Sequence, residues 1–313
     1  MAGKISCIVH TRNSEATLEK ALSSVDWVDE LVVVDMQSED ETLKIAANYA
    51  DRILKAEPAP RIDGVRNTFL KELNHQWALV LDSDEYLALD AAQNIKSLIK
   101  QHGDNFDAFA FPRFNYLAGV PLMGGGRYPD HQIRLFRNGS VKWHDSNHQL
   151  PEVITGPDRL MKLTPPNCLH IHHPNYENLQ EFMAKQISYA LNDTYPQDPA
   201  AFEFSEYIAR AHEQLALRSE PQTDGDVSHA LALVMAWDSL LRGLIHWDRL
   251  DPKPPLNYLS ALPAGATKVP HSKIALRKML GRHLAWKHIL AALVYRLRRL
   301  LHKFKPGRKR DSQ

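Results

Sequence analysis

The strongest constraint on this chain is a rhythm in its first ninety or so residues. Short apolar runs end in polar residues and are separated by connections with helical spacing. Residues 5–9, 31–34, 52–54 and 77–81 form the runs, the second rich in valine. Runs of this length bounded by polar clusters are characteristic of buried strands. In the first connection Leu18, Ala21, Leu22 and Val25 recur at helical spacing, and in the third Ile62, Val65, Phe69 and Leu73 do the same. The second opens with Ser38-Glu39-Asp40-Glu41, a capping-box pattern, before Leu43, Ala46 and Ala47. Strands alternating with helices imply βαβ units with right-handed crossovers. The expected class is α/β, a mostly parallel sheet with helices on both faces.

The middle of the chain has a different pattern. Residues 106–111 suit another strand. Residues 132–137, an Asn138-Gly139 turn and residues 140–143 predict a hairpin, with Ile133 and Leu135 alternating before the turn and Val141 and Trp143 after it. Residues 116–130, containing Gly124-Gly125-Gly126, are expected to be a mobile loop. Helical spacing runs from 178 to about 217, a polar break covers 219–228, and a further helix is expected over about 229–247 before the proline-rich residues 251–270.

Charge is distributed unevenly. The formal net charge is +1, yet residues 273–313 carry 13 Lys and Arg against one acidic residue. An acidic body of about −11 therefore precedes a tail of about +12. From 274 to 304 apolar residues recur every three or four positions, with Arg and Lys on much of the opposite face. The main uncharged stretch, 289–295, is far short of the roughly 20 residues a spanning helix needs. Such a helix, carrying Trp286 and Tyr295, is expected to lie on an anionic membrane surface, with docking on the acidic body as the alternative. The apolar stripe argues against nucleic acid as a partner. Cys7 and Cys168 are too few for a disulfide framework and lack metal-ligand spacing. No signal-peptide pattern is visible at the N-terminus, and the expected location is the cytoplasm, peripheral on the inner face of the cytoplasmic membrane.

Ligands of open parallel sheets bind outside the carboxyl ends of the strands. Residues 10–15 (His-Thr-Arg-Asn-Ser-Glu) follow the first run, Asp35, Ser38 and Asp40 the second, and Asp82-Ser83-Asp84-Glu85 the fourth. The two carboxylates of Asp82-Ser83-Asp84 at a strand end can present oxygens to a hard divalent cation, which takes substrate phosphates as further ligands and neutralises a departing diphosphate. The same spacing is also common in turns and helix caps.

Residues 5–13, residues 33–42 (Val-Val-Asp-Met-Gln-Ser-Glu-Asp-Glu-Thr), Arg66-Asn67 and residues 77–85 together resemble a family 2 glycosyltransferase, nearest to the bacterial branch that builds lipopolysaccharide core and other cell-envelope glycans. The likeness is strong over residues 1–90 and weaker over 129–189, where it rests on Gln132-Ile133-Arg134-Leu135-Phe136-Arg137, His172-His173, Lys185 and Tyr189. It implies a GT-A fold with a nucleotide-sugar-binding half over 1–110, an acceptor-side half over 111–218, a helical and proline-rich extension over 219–272 and the basic tail over 273–313. It also implies a nucleotide-diphosphate sugar donor, a UDP-sugar foremost, an Mn²⁺ or Mg²⁺ ion and a lipid-linked or envelope glycan acceptor.

Carried across residue by residue, the resemblance puts Thr11, Arg12 and Glu15 around the base and ribose and Asp35 at the nucleoside, with Asp40 supporting that loop. Arg66 reaches the diphosphate, Asp82 faces ribose and metal, and Asp84 is the main metal ligand. The cluster His170-Ile171-His172-His173 supplies a metal ligand, taken as His172, or contacts phosphate or acceptor, or is a set of polar surface histidines. Inverting transfer needs a general base. A His-Glu pair is expected after the hairpin, but residues 145–149 are Asp-Ser-Asn-His-Gln, and Gln149 cannot accept the proton. Asp145, His148, Glu152 and Asp130 remain candidates, or else the chain is a catalytically weak or inactive nucleotide-sugar-binding protein at a membrane surface. A pyrophosphorylase or dinucleotide dehydrogenase would need a glycine-rich loop after the first strand, and residues 10–15 have none. An aspartyl-phosphate phosphatase would place its Asp-x-Asp on the earliest strand rather than the fourth.

Overall fold

The computed structural model of the chain describes residues 3–59, 62–144, 151–166, 168–219 and 221–256. Residues 1–256 form one compact unit. The four apolar runs become β1 (Ile5–Thr11), β2 (Glu30–Asp35), β3 (Arg52–Lys55) and β4 (Trp77–Asp82), joined by α1 (Leu18–Ser23), α2 (Thr42–Ala46) and α3 (Ile62–Leu70). Then follow β5 (Tyr86–Leu87), α4 (Ala91–His102), β6 (Ala108–Leu117), β7 (Val120–Pro121), β8 (Asp130–Arg137), β9 (Val141–Lys142), β10 (Glu152–Val153), β11 (Leu160–Lys162) and β12 (Ile171–Tyr176). The chain continues through α5 (Leu179–Asn192), α6 (Phe204–Arg218), α7 (Pro221–Asp224) and α8 (Asp226–Arg249).

One sheet runs β3-β2-β1-β4-β8-β6-β12-β5, with β7 and β11 also pairing β6. β3, β2, β1 and β4 are mutually parallel, whereas β8 is antiparallel to both β4 and β6. Alternate residues feed two cores. Ile5, Cys7, Val9, Leu79 and Leu81 pack with Leu18 and Leu22 of α1 and Ile95 of α4 on one face. Ile8, Val32, Val34, Ala78 and Val80 pack with Leu70, Phe136 and Trp143 on the other. Burial on both faces is why these strands are continuous apolar runs without alternation. Each large aliphatic side chain buried this way contributes about 1.5–3 kcal/mol.

The expected hairpin does not form. The Asn138-Gly139 turn closes, with the Ser140 amide donating to the Arg137 carbonyl at 2.9 Å and Gly139 at φ 86°. β9 then leaves the sheet and pairs with β10, while β8 is taken by β4 and β6. Two neighbours already fill both edges of β8, so its own continuation has no edge to join. Residues 116–130 are pinned rather than loose. β7 folds back on β6, and the buried Asp224 carboxylate accepts the Met123 and Gly124 amides at 2.8 and 2.9 Å. The helical stretch from 178 is broken between α5 and α6, where Pro196 and Pro199 cannot supply helical amides. The polar break contains α7, and α8 begins at Asp226. The capping box is replaced: Ser38 accepts the Asn13 amide, and the Asp40 carboxylate accepts the Thr42 amide at the start of α2. α6 and α8 approach closely at Gly243, where a Cβ would lie 2.7 Å from the rings of Phe204 and Tyr207. Among the described residues no helix is long and apolar enough to cross a membrane. The basic helix expected over 274–304 lies outside the described residues.

Candidate active site

Thr11 pairs with Asp35 and His10 with Asp82 in the parallel register, so three strand ends meet on one edge of the sheet. The loops beyond β1 and β2 are tied to each other. The Asn13 amide donates to Ser38 Oγ (2.9 Å) and the Glu39 amide to Asn13 Oδ1 (2.8 Å). The Ser14 amide donates to Thr42 Oγ1 (2.7 Å) and the Glu15 amide to Asp40 Oδ2 (3.1 Å). Asp40 therefore ties the two loops together. Glu15 differs from expectation in giving an oxygen to the Glu41 amide at 3.1 Å. Asp35 is buried and accepts the Ser38 amide at 3.2–3.3 Å. Thr11 is buried with its hydroxyl lacking a hydrogen-bond partner among the described residues, and Arg12 is exposed at the cavity rim.

The two aspartates of the Asp-Ser-Asp triplet face different surroundings. The Asp82 amide donates to Glu85 Oε2 at 3.2 Å, and the Glu85 amide to the Asp82 carbonyl at 3.0 Å, closing a tight turn. Asp82 Oδ1 is held by Arg66 and Oδ2 by Arg134, both arginines being 4% exposed. Arg134 and Arg113 both reach Glu85 Oε1 at 2.7 Å, and Arg113 continues to Asp130 Oδ2 at 2.7 Å. Three guanidiniums and three carboxylates thus alternate, contributed by α3, β4 and the turn after it, β8 and β6. Burial raises the Asp82 carboxyl, but the charges of Arg134, Arg66 and Arg113 outweigh it and hold the group far below the usual carboxylate range. The expected metal and ribose roles of Asp82 are therefore corrected: both oxygens are occupied by buried arginines. Arg66, expected at the diphosphate, is buried in this ladder instead. Arg134 and Glu85 were missed as site residues, although a charged residue inside an otherwise apolar strand is itself a signal.

Asp84 points the other way, into a cavity of about 750 Å³ that Arg12, Ser14, Lys20, Ser83 and Lys185 also line. Its Oδ2 lies 3.3 Å from His173 Nε2. Burial raises its carboxyl, but the hydrogen bond and charge of His173 outweigh this and lower it. His173 Nδ1 lies 2.9 Å from Asn115 Oδ1, and Asn115 Nδ2 donates to Asp130 Oδ2 at 2.9 Å. A carboxylate paired with Arg113 can only accept, so the Asn115 amide must present its oxygen to His173. The Nδ1 atom then carries a proton toward Asn115, and Nε2 is the ring atom that faces Asp84. His172, expected as a metal ligand, does not meet Asp84; the neighbouring His173 does. Neighbouring strand residues face opposite ways, and His172 Nδ1 bonds the Tyr116 hydroxyl at 2.7 Å while its ring stacks on Tyr86.

Among the base candidates, Asp130 is corrected. Burial raises its carboxyl, but Arg113 together with bonds from Asn115 and Gln132 lowers it, and both oxygens are used. Glu152 is exposed on β10, with His144 Nε2 3.6 Å away. Asp145, His148 and Gln149 lie outside the described residues. Among the described residues no group of three or more His, Cys, Asp or Glu side chains forms a cage for a metal. Asp84 and His173 nonetheless suit a hard cation of the Mg²⁺ or Mn²⁺ kind, which binds through one or two protein groups and keeps water and substrate phosphates.

Residues 6–141 match the family model described as Glycosyl transferase family 2. A TPR repeat-containing protein of Synechococcus elongatus is 34% identical over 150 residues, 47% of this chain and 35% of that protein. The poly(ribitol-phosphate) beta-N-acetylglucosaminyltransferase TarS of Staphylococcus aureus is 33% identical over 110 residues, 32% of this chain and 19% of that protein. The solved structure of S. aureus TarS 1–349 in complex with UDP-GlcNAc aligns with a TM-score of 0.39 and 18% identity, covering 78% of this chain and 90% of that one. The chain spans about a third or less of the length of these curated relatives.

Proposed function

We propose, because residues 6–141 belong to glycosyl transferase family 2, that the chain transfers a sugar with inversion from a nucleotide-diphosphate sugar, a UDP-sugar foremost, to a lipid-linked or envelope glycan such as lipopolysaccharide core. The observation that carries the proposal is the Asp84–His173 pair at the rim of the strand-end cavity, with Asn115 fixing the ring. A divalent cation held by this pair would neutralise the charge that builds on the departing diphosphate. Lys20 and Lys185, at the cavity wall, add positive charge for the phosphates, and Arg12 stands at the entrance to the nucleoside side. The tied loops after β1 and β2 keep this wall rigid before the donor arrives, which lowers the ordering cost of binding. The base that removes the acceptor proton is assigned to the segment 145–152, through Asp145, His148 or Glu152. The basic tail, 273–313, would hold the protein on the inner face of the cytoplasmic membrane through anionic lipids.

Titration of UDP, GDP and dTDP into the full chain with and without Mn²⁺ tests the donor reading. At least one nucleotide is expected to bind, more tightly with the metal, and Asp84→Ala and His173→Ala are each expected to remove the metal enhancement. A metal-independent affinity equal in all three proteins would reject the cation role. A second reading, a nucleotide-sugar-binding protein with little or no turnover, is favoured by Gln149 alone. Tight donor binding without release of nucleotide diphosphate from any donor sugar would select it.

A further inference from the structure

A second cavity, of about 470 Å³, shares one wall with the first. Asn175 lines both, whereas Asp84, Ser83 and Arg12 line only the first, and Arg127 and Arg218 only the second. The charges in this second cavity do not balance. Its one carboxylate among the described residues, Asp130, is consumed: Oδ2 takes two donors of Arg113 and one of Asn115, and Oδ1 takes Gln132. Arg127 has no ion pair among the described residues. Its one hydrogen bond there is Nη2 to Met235 Sδ at 3.7 Å, and its Nε is buried with no partner. Arg218 donates Nε to Gln214 Oε1 at 2.5 Å and Nη1 to the Gly125 carbonyl at 3.0 Å, both neutral acceptors.

Burial lowers the Arg127 guanidinium despite the opposing fields of Tyr176 and Asp130. Burial and the charge of Arg127 bring Arg218 down to about 10. A guanidinium does not give up its proton at neutral pH, so both charges persist and repel each other in a partly dry site. Such an arrangement is costly in the empty protein and is relieved by an anion that accepts forked hydrogen bonds.

The site is built rather than accidental. Asp224 clamps the Met123 and Gly124 amides, and Gly125 at φ 60° lets the loop touch the end of α6, where a Cβ would come within 2.9 Å of Arg218 Cα. The loop thereby brings Arg127 beside Arg218. The floor of the cavity is also coupled to the metal pair, since Asp130 orients Asn115 and Asn115 orients His173.

We propose that this second cavity seats an anionic group, a phosphate or carboxylate, of the acceptor, so that the sugar-receiving molecule is an acidic or phosphorylated glycan held by Arg127 and Arg218. Naming the acceptor end rests on the glycosyl-transfer reading. The anion site itself does not. Its position across Asn115 and Asn175 from Asp84 separates it from the donor phosphates.

Inorganic phosphate, titrated into the full-length protein at low ionic strength, is the probe. Phosphate is expected to bind equally with and without saturating UDP, GDP or dTDP plus Mn²⁺. Arg127→Gln and Arg218→Gln are each expected to weaken it tenfold or more while nucleotide affinity stays within twofold. Arg127→Lys, which keeps a point charge but loses the fork, is expected to fall between. Either variant alone decides the matter if the other does not fold. Absence of phosphate binding at millimolar concentration overturns the proposal, as do binding indifferent to both substitutions and displacement of phosphate by the nucleotides. Phosphate binding without any nucleotide binding would sink the donor reading and leave the anion site standing.

Discussion

Replacing Asp82 by Ala removes the carboxylate that lies between two guanidiniums exposed by only 4%. Loss of one partner from a buried ion pair costs about 3–5 kcal/mol. A fall in Tm of about 10 °C is expected for a unit of this size, readable by calorimetry. Asp84→Ala removes a side chain 36% exposed to solvent, and its expected cost is below about 1 kcal/mol. Its effect falls on turnover, by about 100-fold or more. Equal stability losses in the two variants would refute this division of labour. His10 offers a pH test. Both ring nitrogens are buried without partners among the described residues, and burial, reinforced by Arg66 and opposed by Asp82, lowers its pKa to about 3. Between about pH 6.5 and 3 the unfolded chain takes up a proton that the folded protein refuses. Stability from this group is thus intact above about 6.5 and falls by up to about 1.4 kcal/mol per pH unit below it. His10→Phe, which keeps a ring against Phe69, is expected to flatten that limb in urea titrations at stepped pH; an unchanged slope would exclude His10 as its source. The triplet at 82–84 was visible in the sequence, but spacing alone could not tell which carboxylate turns inward. That depends on Arg66 and Arg134, 16 and 52 residues away from Asp82 along the chain. The choice of His173 over His172 likewise depends on the face β12 presents to Asn115.

Strands buried on both faces announce themselves, because most residues of β1, β2 and β4 are apolar, and those runs were legible for that reason. β8 and β9 were misjudged because a turn signal fixes a local reversal and says nothing about which strand occupies the neighbouring edge. The glycine triplet was misjudged in the opposite sense. Gly125 and Gly126 have φ of 60° and 70°, conformations that glycine adopts freely, so here the residues that suggest looseness permit a fixed turn instead. Gly125→Ala adds strain in the left-handed region and a 2.9 Å approach to backbone, at an expected cost of about 1–3 kcal/mol. Asp224→Ala leaves two amides, one of them in a fully buried hydrogen bond, without their acceptor, at about 1–3 kcal/mol. In hydrogen exchange both variants should accelerate the amides of 122–127 while those of β1 and β4 stay protected. Protection unchanged at 122–127 would mean that the loop is held by something other than this clamp.

At the scale of the molecule the charge is separated along the chain. Residues 273–313 carry a net +12 and the remainder about −11, a division that the overall +1 conceals and that the sequence displays more directly than any fold. Like charge packed along one helix-patterned segment raises affinity for anionic lipid by about 1 kcal/mol per basic residue near the surface and fades beyond a Debye length. Membrane attachment of this kind must weaken with salt, whereas attachment through apolar insertion must not. The compact unit ends at Leu256, so a chain truncated there is expected to keep the two cavities and the Asp84–His173 pair. Sedimentation with phosphatidylglycerol-containing vesicles at 50 and 500 mM salt separates the cases. The full chain should pellet at low salt and be largely released at high salt, while the truncated chain stays in the supernatant and binds nucleotide as before. Vesicle binding that survives the truncation would move the membrane contact onto the acidic body, whose net negative charge would then have to be overcome by a local basic patch.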